Sequence, residues 1–207
     1  MSELRDERED GHAVLRSERV FAGRVWDVVS EEVDLDGSPV VRDFIRHTGA
    51  VAVLALDDDE RVLLIRQYRH PIRRRDWEIP AGLLDRDGES PIDAARRELA
   101  EEADLLAERW DHLIDFYSSP GGSSEAVRIY LARGISAAEE EFARVDEEAR
   151  IERRWVPLDE LVQAALHRGI GNPSLLIGSF AAHAARDAGW ATLGPVDAPW
   201  PAPREER

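Results

Sequence analysis

The chain has 207 residues, 43% of them hydrophobic, which suits one ordinary domain or one domain with a small accessory piece and excludes general disorder. Its 43 acidic side chains outweigh 27 basic ones, a formal net charge of −16, which argues against a duplex-binding surface and for a protein whose charge resists self-association. All 27 basic residues are arginine and cysteine is absent, so Schiff-base and P-loop lysines, disulfides, thiol nucleophiles and zinc–thiolate sites are excluded.

In chain order, the opening MSELRDEREDGH is charged and lacks the apolar stretch of a signal peptide. Residues 1–17 are expected to be a loose arm. Residues 18–48 read as a small antiparallel sheet, its strands flanking the turn cluster Asp36-Gly37-Ser38-Pro39. A main domain is expected over 49–190 and an irregular, proline-rich tail over 191–207. Ala50–Leu56 is a continuous apolar run fit for a buried strand. Asp57–Glu60 turns the chain, Arg61–Arg69 returns as a strand, and Trp77–Pro80 is extended. Ser90 and Pro91 open a helix, with Ser90 as N-cap. Ile92, Ala95, Leu99, Ala103 and Leu106 give its buried stripe. Strands are expected near 111–117, 126–133 and 151–156, then helices over 158–168 and 173–188. The apolar stretches GAVAVLAL and SLLIGSFAAHAA are too short to span a membrane, so the expected location is the cytoplasm. Strands, helix, strands, helices make a mixed α/β sandwich rather than regular βαβ repetition.

On the first helix Glu98, Glu101 and Glu102 project from one face. Like charges there repel unless something neutralises them, and a hard divalent cation with oxygen ligands is the natural counter-charge. An isolated Glu-x-x-Glu-Glu in so acidic a chain is otherwise a solvated helix face. The surroundings favour the cation. Gly82, Glu89, Arg97-Glu98-Leu99, Glu101-Glu102 and Leu105 resemble the box of the Nudix hydrolases, G-x5-E-x7-R-E-U-x-E-E-x-G-U with U aliphatic. Two positions depart from it. Six residues separate Gly82 from Glu89, and Asp104 stands where the box has glycine. Asp tolerates left-handed backbone better than most residues, so the turn is expected to survive.

Within that family the chain resembles the ADP-ribose pyrophosphatases over roughly residues 18–185, through Arg66-Gln67-Tyr68-Arg69, Trp77-Glu78-Ile79-Pro80-Ala81-Gly82 and Ser119-Pro120-Gly121-Gly122. The resemblance implies a Nudix α/β/α sandwich with an N-terminal antiparallel sheet, assembled as a homodimer. It implies hydrolysis of ADP-ribose to AMP and ribose 5-phosphate by metal-activated water, with two or three Mg²⁺ ions per site, or Mn²⁺. Glu98 and Glu102 then correspond to the principal metal ligands, with the Ala81 carbonyl beside them and Glu101 sharing a metal or its water. Glu89 and Arg97 correspond to an orienting ion pair. Arg69 corresponds to a diphosphate clamp, a role that suits the forked guanidinium. Ser119, Pro120, Gly121 and Glu125 correspond to the terminal-ribose loop. Arg42 and Asp43 fall where the partner subunit reads adenosine, Trp26 near the adenine-stacking aromatics, and Leu83 at a backbone contact.

The box glutamates are committed to metal, so a further carboxylate is expected to take the proton of the attacking water. Resemblance places it at Glu147, with Glu148 the alternative; where the family can have a further metal glutamate, this chain has Ala149. Each of these residues also has a plainer reading: a strand arginine for Arg69, a core tryptophan for Trp26, a connecting turn for Ser119–Gly121, a solvated acidic loop for Glu147. Two other functions stay open. One is hydrolysis of a different nucleoside diphosphate sugar, the other a catalytically inactive ligand-binding module. The six histidines are scattered without metal-ligand spacing, and no G-x-S-x-G elbow is present.

Overall fold

The computed structural model of the chain describes residues 4–138 and 151–201. The chain divides into two compact units, one of residues 1–47 with 119–125, the other of residues 48–118 with 126–207.

The first unit is an antiparallel sheet in the order β1 (Val14–Ala22), β2 (Asp27–Leu35), β3 (Ser38–Arg46). The β2–β3 ladder runs unbroken from Asp27 opposite Arg46 to Leu35 opposite Ser38. Asp36 and Gly37 close it with φ of 53° and 84°. Positive φ at both central residues gives a two-residue turn whose twist matches that of the strands. β1 begins at Val14, inside the segment expected to be a loose arm. Every residue of β1 is exposed, so no buried face gives it an apolar period to read in the sequence. Residues 119–125 join this unit through hydrogen bonds from the Ile45 amide to the Gly122 carbonyl and from the Ser124 amide to the Ile45 carbonyl, both 2.9 Å.

The second unit carries the core. Its four-stranded sheet has the order β7 (Ala81–Leu83), β4 (Ala50–Ala55), β9 (Ala126–Ala137), β8 (Leu105–Tyr117), with β4 and β9 parallel. A three-stranded sheet has the order β10 (Glu152–Pro157), β5 (Arg61–Arg69), β6 (Arg74–Glu78). The helices are α1 (Pro91–Ala103), α2 (Leu158–Leu166) and α3 (Pro173–Asp187). The continuous apolar run of β4 has a structural cause. Ala52 and Leu54 pack into a cluster with Leu158 and Leu161 of α2 and Leu175 and Ala182 of α3, whereas Val51, Val53 and Ala55 pack with Ala94, Ala95, Leu99 and Ala103 of α1. Side chains alternate across a strand, so a sheet covered by helices on both faces needs apolar residues at every position. This unit is therefore an α/β/α sandwich. Its ladder β8–β9 runs longer than the sequence suggests, from Leu105 opposite Ala137 to Tyr117 opposite Ala126.

Among the described residues, no helix is long and apolar enough to cross a membrane.

Candidate active site

α1 starts as its sequence dictates. The Ser90 hydroxyl accepts from the Asp93 amide at 3.2 Å and donates to the Asp93 carboxylate at 2.6 Å, with Pro91 in the first turn. It stops at Asp104, which adopts the left-handed conformation at φ 54°, ψ 39°. Aspartate tolerates this conformation better than most residues, as expected at this position. Arg153 of β10 covers this helix end, donating to the Ala103 carbonyl at 2.7 Å and to the Asp104 carboxylate at 2.8 Å.

Between these ends α1 turns Glu98, Glu101 and Glu102 into one cleft. Glu102 is 8% exposed and accepts the Ala81 amide at 2.9 Å. The Ala81 contact seen in the structure is thus made by its N–H. Gly82 lies so close to α1 that a Cβ there would sit 1.9 Å from Oε1 of Glu98. Only glycine lets the strand approach the carboxylate in this way. The cleft has a volume of about 420 Å³, and Leu83, Asp85 and Arg86 complete its wall beside Ala81, Gly82, Arg97 and the three glutamates.

Arg97 ties the cluster together. Its Nε and Nη2 fork onto both oxygens of Glu89 at 2.8 and 3.0 Å, while Nη1 reaches Glu98 at 2.5 Å and Glu101 at 2.9 Å. The hydrogen bonds from Arg97 hold the Glu89 carboxyl below the usual carboxylate range. Burial acts oppositely on Glu98 and Glu102. It pushes Glu98 up against the pull of Arg97, and it pushes Glu102 up to about 8 against the hydrogen bond from Ala81. Among the described residues, no three acidic or histidine groups converge on one point as a ready metal cage. Glu98 and Glu101 are turned onto Arg97, and Glu102 onto the Ala81 amide. The donor set still suits a hard cation: clustered carboxylate oxygens, with the carboxyls of Glu98 and Glu102 raised by burial.

Arg69 ends β5 and forks onto Glu78, a carboxylate only 3% exposed. Glu78 and Arg86 were not among the residues singled out from the sequence. Arg86 stands 3.5 Å from Glu101.

The remaining candidates lie in the first unit. Trp26, 39% exposed, follows the β1–β2 turn, where a Cβ on Gly23 would meet the Trp26 carbonyl oxygen at 2.1 Å. Arg42 and Asp43 are exposed neighbours on β3, so they point to opposite faces; Arg42 donates to the Val41 carbonyl at 2.9 Å. Ser119, Pro120 and Gly121 are exposed, and the Ser119 carbonyl accepts the amides of Gly122 and Ser123, both at 2.9 Å. Glu125 lies 3.5 Å from His47. Glu147 and Glu148 lie outside the described residues.

Residues 46–175 match the family model of the NUDIX domain. The chain is 38% identical over 187 residues to the ADP-ribose pyrophosphatase of Mycobacterium tuberculosis (strain ATCC 25618 / H37Rv), covering 90% of this chain and 89% of that protein. It is 37% identical over 150 residues to the methanol dehydrogenase activator of Bacillus methanolicus, covering 72% of this chain and 80% of that one. Its fold is similar to the crystal structure of an ADP compounds hydrolase, with a TM-score of 0.69 at 22% identity, covering 89% of this chain and 99% of the other. The box on α1, the sandwich around it and these likenesses agree: the chain belongs to the Nudix hydrolase family.

Proposed function

We propose that the chain hydrolyses the diphosphate of ADP-ribose, releasing AMP and ribose 5-phosphate. The observation that carries this reading is the carboxylate pair Glu98 and Glu102, the second buried, packed against Gly82 and the Ala81 amide in an open cleft. The substrate is supported by the likeness to the M. tuberculosis pyrophosphatase over nine-tenths of the chain. Glu98, Glu102 and Glu101, with the Ala81 carbonyl, are the residues to hold two or three divalent ions, Mg²⁺ first and Mn²⁺ as the alternative. Bound there, such ions supply positive charge that polarises phosphate oxygens and makes water a better nucleophile.

The chain's own residues do the rest. Arg97, anchored on Glu89, orients Glu98 and Glu101 and keeps their mutual repulsion in check. Arg69 offers a charged fork to the diphosphate. Trp26 stacks on adenine, Arg42 and Asp43 read adenosine across the dimer, in the site of the other subunit, Ser119, Pro120, Gly121 and Glu125 bind the terminal ribose, and Leu83 gives a backbone contact. Glu147, or Glu148 beside it, takes the proton from water; Glu147→Gln then lowers kcat roughly 10²–10⁴-fold with little change in KM. Unchanged turnover in both single variants would move the base elsewhere.

A homodimer fits the first unit. Val14, Leu15, Val20 and Phe21 of β1 are each more than half exposed, and three strands alone rarely stand without a packed face. Light scattering that gave a monomer mass in an active preparation would remove the dimer. A cytoplasmic location fits a chain without cysteine.

The deciding experiment is chromatography of products after incubation with ADP-ribose and Mg²⁺, beside a panel of other nucleoside diphosphate sugars at equal concentration. AMP and ribose 5-phosphate, formed faster than the products of the other sugars, are expected. Preference for another sugar would keep the chemistry and change the substrate. No turnover of any would leave an inactive binding module.

A further inference from the structure

Arg69 and Glu78 form a charged pair outside the glutamate box. Arg69 donates from Nε to one Glu78 oxygen at 2.7 Å and from Nη2 to the other at 2.6 Å. In the ladder Arg69 lies opposite Arg74 and Glu78 opposite Ile65, so the contact runs lengthwise along the sheet rather than across a rung. The two ends differ in exposure: the Glu78 side chain is 3% exposed and the Arg69 side chain 46%. A buried carboxylate is costly unless it is paired and hydrogen-bonded, and here both of its oxygens are. Both groups also lie within electrostatic reach of Glu102, and Glu78 is three residues before Ala81 on the segment that leads into the cleft.

A guanidinium has five N–H donors in a fixed plane. Glu78 occupies the edge formed by Nε and Nη2. Among the described residues nothing is bonded to the edge formed by Nη1 and the second Nη2 hydrogen, whose two parallel donors have the geometry that suits a phosphate. We propose that Glu78 is a positioning residue, which locks Arg69 by its inner edge and turns the outer edge to the substrate diphosphate. This rests on the reading of Arg69 as the diphosphate clamp. An arginine held only by its aliphatic stem would sample many rotamers, and ordering it would cost binding energy at each encounter.

The test is a double-mutant cycle read as kcat and KM for ADP-ribose in wild type, Glu78→Gln, Arg69→Ala and the double variant, with thermal melts of each. Glu78→Gln is expected to lower kcat/KM about 10–100-fold, mostly through KM. In the Arg69→Ala background the same change is expected to matter less than about threefold, because the fork that Glu78 positions is gone. Glu78→Asp, which keeps the charge, recovers part of the loss, and it carries the cycle if Glu78→Gln does not fold. Equal losses in both backgrounds, or wild-type kcat/KM in Glu78→Gln, would overturn the positioning role. If Arg69→Ala alone leaves kcat/KM unchanged, the clamp falls and the positioning role falls with it. If wild type does not turn over ADP-ribose, the proposed substrate has failed instead, and the cycle is read on whichever nucleoside diphosphate sugar is hydrolysed fastest.

Discussion

Gly82 of β7 and Glu98 of α1 touch so closely that a single methyl group cannot fit between them: a Cβ on Gly82 would lie 1.9 Å from Oε1 and 2.0 Å from the carboxyl carbon of Glu98. Glu98 is also held by Arg97 at 2.5 Å, so it has little freedom to retreat. Gly82→Ala is therefore expected to displace the carboxylate and to destabilise the fold by about 1–3 kcal/mol through overpacking. Gly171, where a Cβ would meet nothing within 4 Å, is the control. Gly171→Ala is expected to stay within about 0.5 kcal/mol of wild type. Equal melting temperatures and equal turnover for both variants would show that β7 and α1 move apart freely.

Glu102 is buried and the Glu98 side chain is 13% exposed, whereas the Glu101 side chain is 34% exposed. Glu98→Gln and Glu102→Gln are each expected to reduce kcat at least about 10²-fold at saturating Mg²⁺, since cation-based charge stabilisation contributes several kcal/mol to such reactions. Neither change leaves a large cavity, so both variants should melt cooperatively. Near-wild-type turnover in both would remove these residues from the proposed metal site.

The sequence made α1 legible because several local signals agree there: the Ser90 cap, Pro91, the apolar stripe and the fixed spacing of the box. β4 was legible because it is buried on both faces. β8 was not read in full. Its first half, Leu105–Trp110, mixes Glu108 and Arg109 with apolar residues and stays partly exposed, so it shows no clean apolar run. The Arg69–Glu78 contact was out of reach for a different reason. It depends on the β5–β6 register and on a side chain running along the sheet, and neither leaves a periodic trace. Trp26, in the β1–β2 connection, and Arg42, on an exposed strand, illustrate a third limit, because an exposed residue carries no sign of what it meets.

Arg128 shows how a charge can be buried at a structural position. Its side chain is 1% exposed, forks onto Asp115 with both contacts at 2.8 Å, and donates to the Ala198 and Pro199 carbonyls at 2.7 Å each. Trp200 lies under its guanidinium, 5.2 Å from ring centroid to Cζ. The tail read as irregular is thus fastened to β9. Arg128→Met is expected to destabilise by about 3–5 kcal/mol, because it leaves the partly buried Asp115 with His112 alone and releases two carbonyls. Limited proteolysis should then cut the segment after Gly194 first. A loss below about 1 kcal/mol with unchanged cleavage would show that the tail is held mainly by its apolar contacts.

Glu102 couples stability to pH with a definite sign. Burial pushes its carboxyl up to about 8, from an ordinary value of 4.5. The folded protein therefore keeps a proton on Glu102 through a range in which the unfolded chain has released it. A group raised in the folded state contributes stability that is fully present below the unfolded value and is lost as pH rises through the folded one. In EDTA, wild-type stability relative to Glu102→Gln should thus decline between about pH 4.5 and 8, with a slope no steeper than about 1.4 kcal/mol per pH unit. Glu98, also raised, contributes with the same sign and interacts with Glu102, so the difference reports Glu102 together with its coupling to Glu98. Added Mg²⁺ competes with the proton for the same oxygens, so its stabilising effect should be larger at pH 8 than at pH 6 in wild type and weak at both in the variant. Urea denaturation across this range, with and without Mg²⁺, measures both effects. Parallel wild-type and variant curves in EDTA would mean that Glu102 is ionised in the metal-free fold, with its charge met by Arg69 and the Ala81 amide rather than by a proton.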